Sequence, residues 1–254
     1  MRGVTGSARW TYRGRMYLEN LVIDALDPQR LGRFWEAVVE GERLTDEPGI
    51  FETRLAVPGG PELDLCFQQV SEPAPPAPRL HVDLAGGPHQ DEEVARLLAL
   101  GARRLDIGQG DVPWVVLADP EGNPCCVLEE RAAHAGSGPV ASLPLASADP
   151  DRDAAFWAWL TGWTDVTGSA PRSLRHPSLR GPLLEMVAEA APHGPTKNRC
   201  HLDVRLEAGD DLDTVAAGIA ERGGAPLRTD WGDLPWTSFT DPSGNELCLL
   251  PARA

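Results

Sequence analysis

The spacing of apolar residues predicts a unit of one strand, one helix and three further strands. Apolar and polar residues alternate over residues 17–24, as in a half-buried strand. Leu31, Phe34, Trp35 and Val38 then fall at helical spacing. Three short strand-like runs, separated by Pro-Gly turns, follow this helix. The same order recurs along the chain, which predicts four βαβββ modules.

Aspartate–proline pairs mark the start of two of the predicted helices. Asp27-Pro28 and Asp149-Pro150 each provide an N-cap and a proline for the first helical position. Gly101 suits the left-handed end of a further helix. After the first helix, which ends near Gly41, the predicted helices are residues 91–100, 151–160 and 211–222.

The chain is a tandem duplication. GDVPWVVLADPEGNPCCVL at residues 110–128 returns as GDLPWTSFTDPSGNELCLL at residues 232–250, with Trp114 and Trp236 at a separation of 122 residues. The DP…FW helix segments recur at the same spacing, and many identities at one offset indicate a repeat. We predict a flexible leader at residues 1–15, two domains at residues 16–131 and 139–254, and a flexible linker of small residues at 132–138.

Charge and cysteine content limit the binding partners and the cellular compartment that we expect for the protein. The net charge is −15, with 38 acidic and 23 basic residues. Such a surface repels phosphate backbones and anionic lipids, so we expect a small-molecule partner and neither nucleic acid nor membrane. No apolar run approaches the roughly 20 residues of a membrane span. Five cysteines without metal-type spacing favour reduced thiols in a cytoplasmic protein.

Several motifs together resemble the vicinal oxygen chelate superfamily, in particular its glyoxalase/bleomycin-resistance branch. They are the DP…FW helices, HVDL at His81, HLDV at His201, and the two GD-PW…DP-GN segments. The resemblance implies an α+β fold of four βαβββ modules paired into two tandem glyoxalase/bleomycin-resistance/dioxygenase-like domains. Each would be a curled, mixed eight-stranded sheet with helices on its convex face. Whether modules pair within each half or across the halves stays open.

The resemblance also implies ligand positions on the first and last strand of each module. Grouped by half, these positions are Asn20, Gln68, His81 and Cys126, and then Ser142, Glu185, His201 and Cys248. Neutral amides bind transition metals weakly, so the better metal set is Glu185, His201 and Cys248. Cysteine stands where family members place a carboxylate. We therefore expect no metal, with a divalent ion in the second domain as the alternative.

Strand alternation predicts which side chains face the clefts. Leu80, Val82 and Leu84 would pack under the helices, so His81 and Asp83 face the cleft. The same holds for His201 and Asp203 in the second repeat. Other cleft candidates are the thiols Cys126 and Cys248, which a histidine could activate, and Trp114 and Trp236, which could stack on a flat ligand.

Three functions are compatible with these residues. The leading one is metal-free binding of a small organic ligand, such as an aromatic compound, in one or both clefts. The second is a metal-dependent lyase or dioxygenase with its active site in the second domain. The third is a metal-free enzyme in which His81 or His201 is the general base, and Cys126 or Cys248 is an alternative catalytic group. Because a fused duplication can satisfy module pairing internally, we expect a monomer or a loose homodimer.

Overall fold

A computed structural model of the chain describes residues 16–72, 79–189, 196–228 and 234–253. The predicted leader at residues 1–15 lies outside the described residues. Four strand–helix–strand–strand–strand modules follow one another in chain order. Among the helices in the described ranges, none combines the length and the apolar character that a membrane crossing requires.

Modules 1 and 2 form the first half of the chain. Module 1 consists of β1 (Tyr17–Ala25), α1 (Pro28–Val39), β2 (Glu42–Glu47), β3 (Ile50–Ala56) and β4 (Glu62–Gln69). Module 2 consists of β5 (Val82–Gly87), α2 (Gln90–Leu100), β6 (Arg103–Arg104), β7 (Val115–Ala118) and β8 (Pro124–Glu129).

Modules 3 and 4 repeat this order in the second half. Module 3 consists of β9 (Val140–Ser147), α3 (Pro150–Thr161), β10 (Thr164–Val166), β11 (Arg172–Arg175) and β12 (Leu183–Ala188). Module 4 consists of β13 (Cys200–Arg205), α4 (Leu212–Glu221), β14 (Ala225–Pro226), β15 (Thr237–Thr240) and β16 (Glu246–Leu250). Strand β10 was not predicted, because three residues are too few to show alternation.

The predicted helix starts are confirmed. A side-chain oxygen of Asp27 accepts a hydrogen bond of 3.0 Å from the backbone N–H of Arg30, and Asp149 accepts one of 3.2 Å from Arg152. A proline follows each cap at the first helical position. These caps fix where α1 and α3 begin on top of their sheets.

Each eight-stranded sheet combines modules from opposite halves of the chain. Sheet A has the order β14-β15-β16-β13-β1-β4-β3-β2 and thus joins module 4 to module 1. Sheet B has the order β10-β11-β12-β9-β5-β8-β7-β6 and joins module 3 to module 2. In sheet A, β1 runs antiparallel to β13 with Leu21 opposite Leu202. The candidate ligand positions that were grouped by half of the sequence therefore belong to different groups in the structure, one group for each sheet.

The helices cover one face of each sheet, and the opposite faces carry the polar candidates. Leu80, Val82 and Leu84 belong to the apolar core and are at most 5% exposed. This confirms that His81 and Asp83 point to the helix-free side, since neighbouring strand residues face opposite ways. We call the helix-free faces of sheets A and B cleft A and cleft B.

The repeated sequence motifs connect the two sheets. The indole N–H of Trp35 on α1 donates to the buried carboxylate of Asp119 in the DPEGN turn, at 3.2 Å. The second repeat reproduces this bond between Trp157 and Asp241, at 3.1 Å. Each bond joins a helix on one sheet to a turn of the other sheet. The DP-GN segments are thus turns, as predicted, and also the docking points of the buried tryptophans.

Candidate functional site

Cleft A contains a buried cluster of histidine, aspartate and cysteine. One donor atom each from His201, Asp203 and Cys248 lies within 4.8 Å of the others. His201 Nε2 is 3.3 Å from Asp203 Oδ1, which suits an ion pair although the atoms are not aligned as a hydrogen bond. Asn20 on β1 donates from Nδ2 to Asp203 Oδ2 at 3.0 Å. The pairing of β1 with β13 therefore places Asn20 in the same cluster as His201.

The surroundings of His201 favour its protonated form. Burial alone lowers the pKa of His201, but the Asp203 carboxylate and the Cys248 sulfur outweigh burial and raise the pKa to about 10. An imidazolium ion has no free lone pair to accept a proton. His201 is therefore unsuited to the general-base role considered for it.

Cleft B contains the equivalent cluster with a more exposed histidine. His81, Asp83 and Cys126 form a second group whose donor atoms lie within 4.8 Å of one another. His81 Nε2 is 3.3 Å from Asp83 Oδ1, and 32% of the His81 side chain is exposed, against 9% for His201. Ser142 on β9 donates to Asp83 Oδ2 at 3.2 Å. The His81 cluster in cleft B is therefore more accessible to a solute than the His201 cluster in cleft A.

The cleft-B thiol is poorly suited to nucleophilic chemistry. Burial, followed by the negative charge of Asp83, raises the pKa of the Cys126 thiol. The thiolate is the reactive form, so this environment suppresses reactivity at neutral pH. The prediction of a catalytic Cys126 is therefore disfavoured by its surroundings.

The predicted metal set of Glu185, His201 and Cys248 is wrong. Glu185 lies on β12 in sheet B, whereas the other two residues lie in sheet A. Glu185 accepts hydrogen bonds from the backbone N–H of Ser169 at 2.8 Å and from Ser173 Oγ at 3.2 Å. The grouping failed because it assumed that modules 3 and 4 share a sheet.

Gln68 does not occupy the position that corresponds to Glu185. In β4, Cys66 lies opposite Val22, as Glu185 lies opposite Pro144, the residue 122 positions after Val22. Gln68 is exposed near the end of β4. The sequence spacing misassigned this position because the segments around β4 and β12 differ in length.

Equivalent positions of the two clefts have opposite chemistry. In cleft A, Arg205 donates to the carboxylate of Glu19 with bonds of 2.7 and 2.5 Å, and Arg253 also lies 3.2 Å from Glu19. In cleft B, alanine occupies the corresponding positions, Ala85 and Ala141. Charged side chains are therefore paired in cleft A at the positions where cleft B carries small apolar residues.

Trp114 lies on an apolar wall of cleft B. The wall consists of Ala85, Leu105, Trp114, Val116, Cys126, Leu128 and Ala141. Trp114 is partly exposed, and the guanidinium of Arg131 lies 5.7 Å from the centre of its ring. By strand alternation its counterpart Trp236 faces cleft A, beside Ser238 rather than a valine. The flat face of Trp114 thus borders an apolar surface next to the His81 cluster.

His134 is a cleft-B residue that sequence reasoning missed. It ends a 3₁₀ helix (Ala132–His134) within the linker between the repeats, which was predicted to be flexible. Only 9% of His134 is exposed, and burial lowers its pKa, which favours the neutral ring. The charges of Glu185 and Asp83 act on this ring. A lone histidine between alanines gave no signal of this placement.

Buried polar atoms without hydrogen-bond partners concentrate at the clefts. Among the described residues they are Asp83 Oδ1, Glu129 Oε2, His134 Nε2, His201 Nδ1 and Asp203 Oδ1. Native structures satisfy nearly all buried polar atoms, so each unsatisfied atom calls for a partner such as a water, an ion or a bound molecule. The two atoms in cleft A belong to one buried ion pair. The other three belong to cleft B and its border.

A groove of about 460 Å³ lies between the end of α1, strand β3 and helix α2, and Ala85 of the cleft-B wall also lines it. Its two arginines are paired, Arg96 with Glu93 at 2.7 Å and Arg54 with Asp64 at 2.7 Å. The histidine clusters do not line it. This groove therefore does not coincide with either histidine cluster.

Comparison with known proteins agrees with this architecture. A family model described as a glyoxalase-like domain matches twice, at residues 20–128 and 142–250. A search of curated proteins found no match. Glyoxalase I from Zea mays is similar in structure, with a TM-score of 0.66 and 15% identity over 95% of this chain and 94% of that chain.

A putative dioxygenase from Bacillus subtilis subsp. subtilis str. 168 is also similar, with a TM-score of 0.60 and 14% identity over 95% of this chain and 86% of that chain. Identities this low establish a shared fold and carry no statement about substrate. The two family-model matches cover both repeats and most of the chain. The chain therefore belongs to the glyoxalase-like domain family.

Proposed function

We propose that the protein binds a small organic ligand in cleft B. The main support for this proposal is that Ala85 and Ala141 occupy in cleft B the positions that the Arg205–Glu19 ion pair occupies in cleft A. The exchange leaves an apolar wall with one partly exposed tryptophan beside unsatisfied polar atoms. Apolar linings with a few convergent polar groups are typical of ligand sites.

Ligand binding is testable by copying cleft A into cleft B. Aromatic compounds would be screened by quenching of tryptophan fluorescence, and hits measured by calorimetry. In the Ala85→Arg/Ala141→Glu variant, we expect affinity to fall by about 10-fold or more, because long charged side chains occupy the apolar space. Trp114→Phe should remove the quenching.

The duplication provides matched controls. Trp236→Phe changes the equivalent tryptophan of cleft A, and it should leave both affinity and quenching unchanged. A thermal melt of the Ala85→Arg/Ala141→Glu variant checks that it folds. Compounds that bind the Ala85→Arg/Ala141→Glu variant (the filled variant) with unchanged affinity would bind elsewhere and would refute the proposal.

A divalent cation in the histidine clusters is a second candidate. The observation in its favour is that imidazole, carboxylate and thiol donors converge within 4.8 Å in each cleft. These donor types fit Zn²⁺ and related ions, and Asp83 Oδ1 lacks a hydrogen-bond partner. The partly exposed His81 would leave a side open for an oxygen ligand. Such an ion would act there as a Lewis acid when bound.

Metal content distinguishes the two candidates. The untagged protein would be incubated with Zn²⁺, Ni²⁺, Fe²⁺ or Mn²⁺, desalted and analysed for elements. Stoichiometric retention that is lost in His81→Ala but kept in His201→Ala would support a metal in cleft B. The reverse pattern would assign the ion to the enclosed cleft A. Metal retention that persists in both variants would refute both cluster sites.

A further inference from the structure

The linker between the repeats is held across cleft B. Arg175 on β11 donates to the backbone carbonyl oxygens of Ala135 at 3.0 Å and of Ala133 at 3.5 Å. The backbone N–H of Gly181 donates to the carbonyl oxygen of Gly136 at 3.1 Å. Ser173, two residues before Arg175, bonds Glu185, so this face of β11 is the cleft face. The linker therefore forms one border of cleft B.

Within this linker, His134 lies near the charged groups of cleft B. Its Nε2 is buried and has no hydrogen-bond partner. The electrostatic influences on its ring come from Glu185 and Asp83 on the one hand and Arg131 and Arg175 on the other. A neutral imidazole offers one donor and one acceptor nitrogen, so Nε2 is available for a bound molecule.

The other unsatisfied atoms indicate what kind of group such a molecule carries. Asp83 Oδ1 and Glu129 Oε2 are carboxylate oxygens, which only accept hydrogen bonds. Glu129 is close enough to His134 for their charges to interact, and it pairs with Arg131 at 2.6 Å through its other oxygen. Both oxygens can therefore accept a hydrogen bond from a ligand that carries a donor group, and His81 Nε2 also lies 3.3 Å from Asp83 Oδ1.

We propose that His134 contacts the ligand of cleft B directly and that this ligand is an aromatic molecule carrying a hydroxyl or amine group. The aromatic part lies against the wall of Trp114, Val116 and Leu128. The polar group donates to the unsatisfied carboxylate oxygens, and Nε2 of His134 completes its hydrogen bonding. This inference rests on the proposed function, because it names the ligand class of the same cleft.

The test compares pairs of probes that differ only in the donor group. The pairs are 2-naphthol with 2-methoxynaphthalene, and benzylamine with toluene. Affinities are measured by calorimetry or ligand-observed NMR in the wild type and in His134→Ala, His134→Gln and His89→Ala. His89 is an exposed histidine on the helix side and serves as the control.

We expect the donor-bearing probes to bind the wild type about 10-fold or more tightly than their partners, since hydrogen bonds to charged groups are among the stronger ones. His134→Ala should remove most of this preference, His134→Gln should restore part of it, and His89→Ala should change nothing. The imidazole ¹⁵N shifts of His134 should move on addition of 2-naphthol and should stay unchanged with 2-methoxynaphthalene.

Two outcomes overturn the inference while leaving the proposed function intact. One is binding that the filled variant Ala85→Arg/Ala141→Glu abolishes but that His134→Ala leaves unchanged. The other is equal affinity for both members of each probe pair. If neither the probes nor any screened compound binds cleft B, the proposed function itself fails.

Discussion

At the residue scale, two histidines with the same local sequence differ in exposure because their surroundings differ. His81 and His201 each precede an aspartate by two positions and lie 3.3 Å from it. The Glu19–Arg205 pair occupies cleft A, where His201 is enclosed. His81 is beside alanines and remains one third exposed. Local sequence therefore sets the direction of a side chain, and more distant residues set its exposure.

A pH-dependent stability is expected from Asp241, a carboxyl group at the docking point of Trp157. Burial raises the pKa of Asp241 to about 6, although four N–H donors favour the ionised form. Because the folded pKa exceeds the unfolded value, the folded state binds more protons between about pH 4 and pH 6. The contribution of Asp241 to stability therefore falls as pH rises through this window.

Urea unfolding of the wild type and of Asp241→Asn from pH 4 to pH 7 tests this expectation. The stability of the wild type relative to the variant should decrease by up to about 3 kcal/mol across that range. Asp213→Asn, at an exposed position in the first turn of α4, is the control. A constant difference between wild type and Asp241→Asn would contradict the expectation.

At the element scale, the elements themselves could be predicted from the sequence, and their pairing could not. The Asp-Pro caps, the helix spacing and the strand alternation depend on near neighbours, so they are readable in one chain. The pairing of Asn20 with Asp203 depends on strands from opposite ends of the chain. All four modules carry similar strand patterns, so the pattern does not select one partner. The misassigned Glu185 follows directly from this ambiguity.

The helix-to-turn bond between Trp35 and Asp119 should stabilise the contact between the two sheets. Trp35→Phe removes the indole N–H from a buried carboxylate and should lower the free energy of unfolding by about 2–3 kcal/mol. Trp157→Phe should have an effect of similar size on the equivalent bond to Asp241. Both would be measured by urea unfolding monitored by circular dichroism.

The partly exposed Trp236 is the control for these tryptophan substitutions, and Trp236→Phe should change stability by less than about 0.5 kcal/mol. A double-mutant cycle of Trp35→Phe with Asp119→Asn isolates the bond itself. Strictly additive effects would show that the loss arises from the smaller ring alone.

At the scale of the whole molecule, the exchange of modules makes the two halves interdependent. Strand β1 needs β13, and β5 needs β9, so neither half contains a complete sheet. The covalent link satisfies these pairings within one chain. The expected monomeric or loosely dimeric state of the full protein stays a prediction.

The first half produced alone, residues 16–131, should therefore associate into a homodimer. In such a dimer, β1 of one copy would pair with β5 of the other, as β1 pairs with β13 in the full chain. Sedimentation and a melting temperature that rises with concentration would demonstrate the association. A folded, stable monomer at micromolar concentration would show that one half closes its own sheet.

The position-by-position contrast between the clefts has a consequence for how such a protein diversifies. When a two-fold assembly is made from identical chains, every substitution appears at both sites at once. Here Glu19 and Ala141, like Arg205 and Ala85, are encoded separately. The molecule thus resembles a heterodimer on a single chain, in which the two sites can change independently of each other. Engineering of new ligand preferences should begin at the alanine-lined site, where substitutions do not break an existing ion pair.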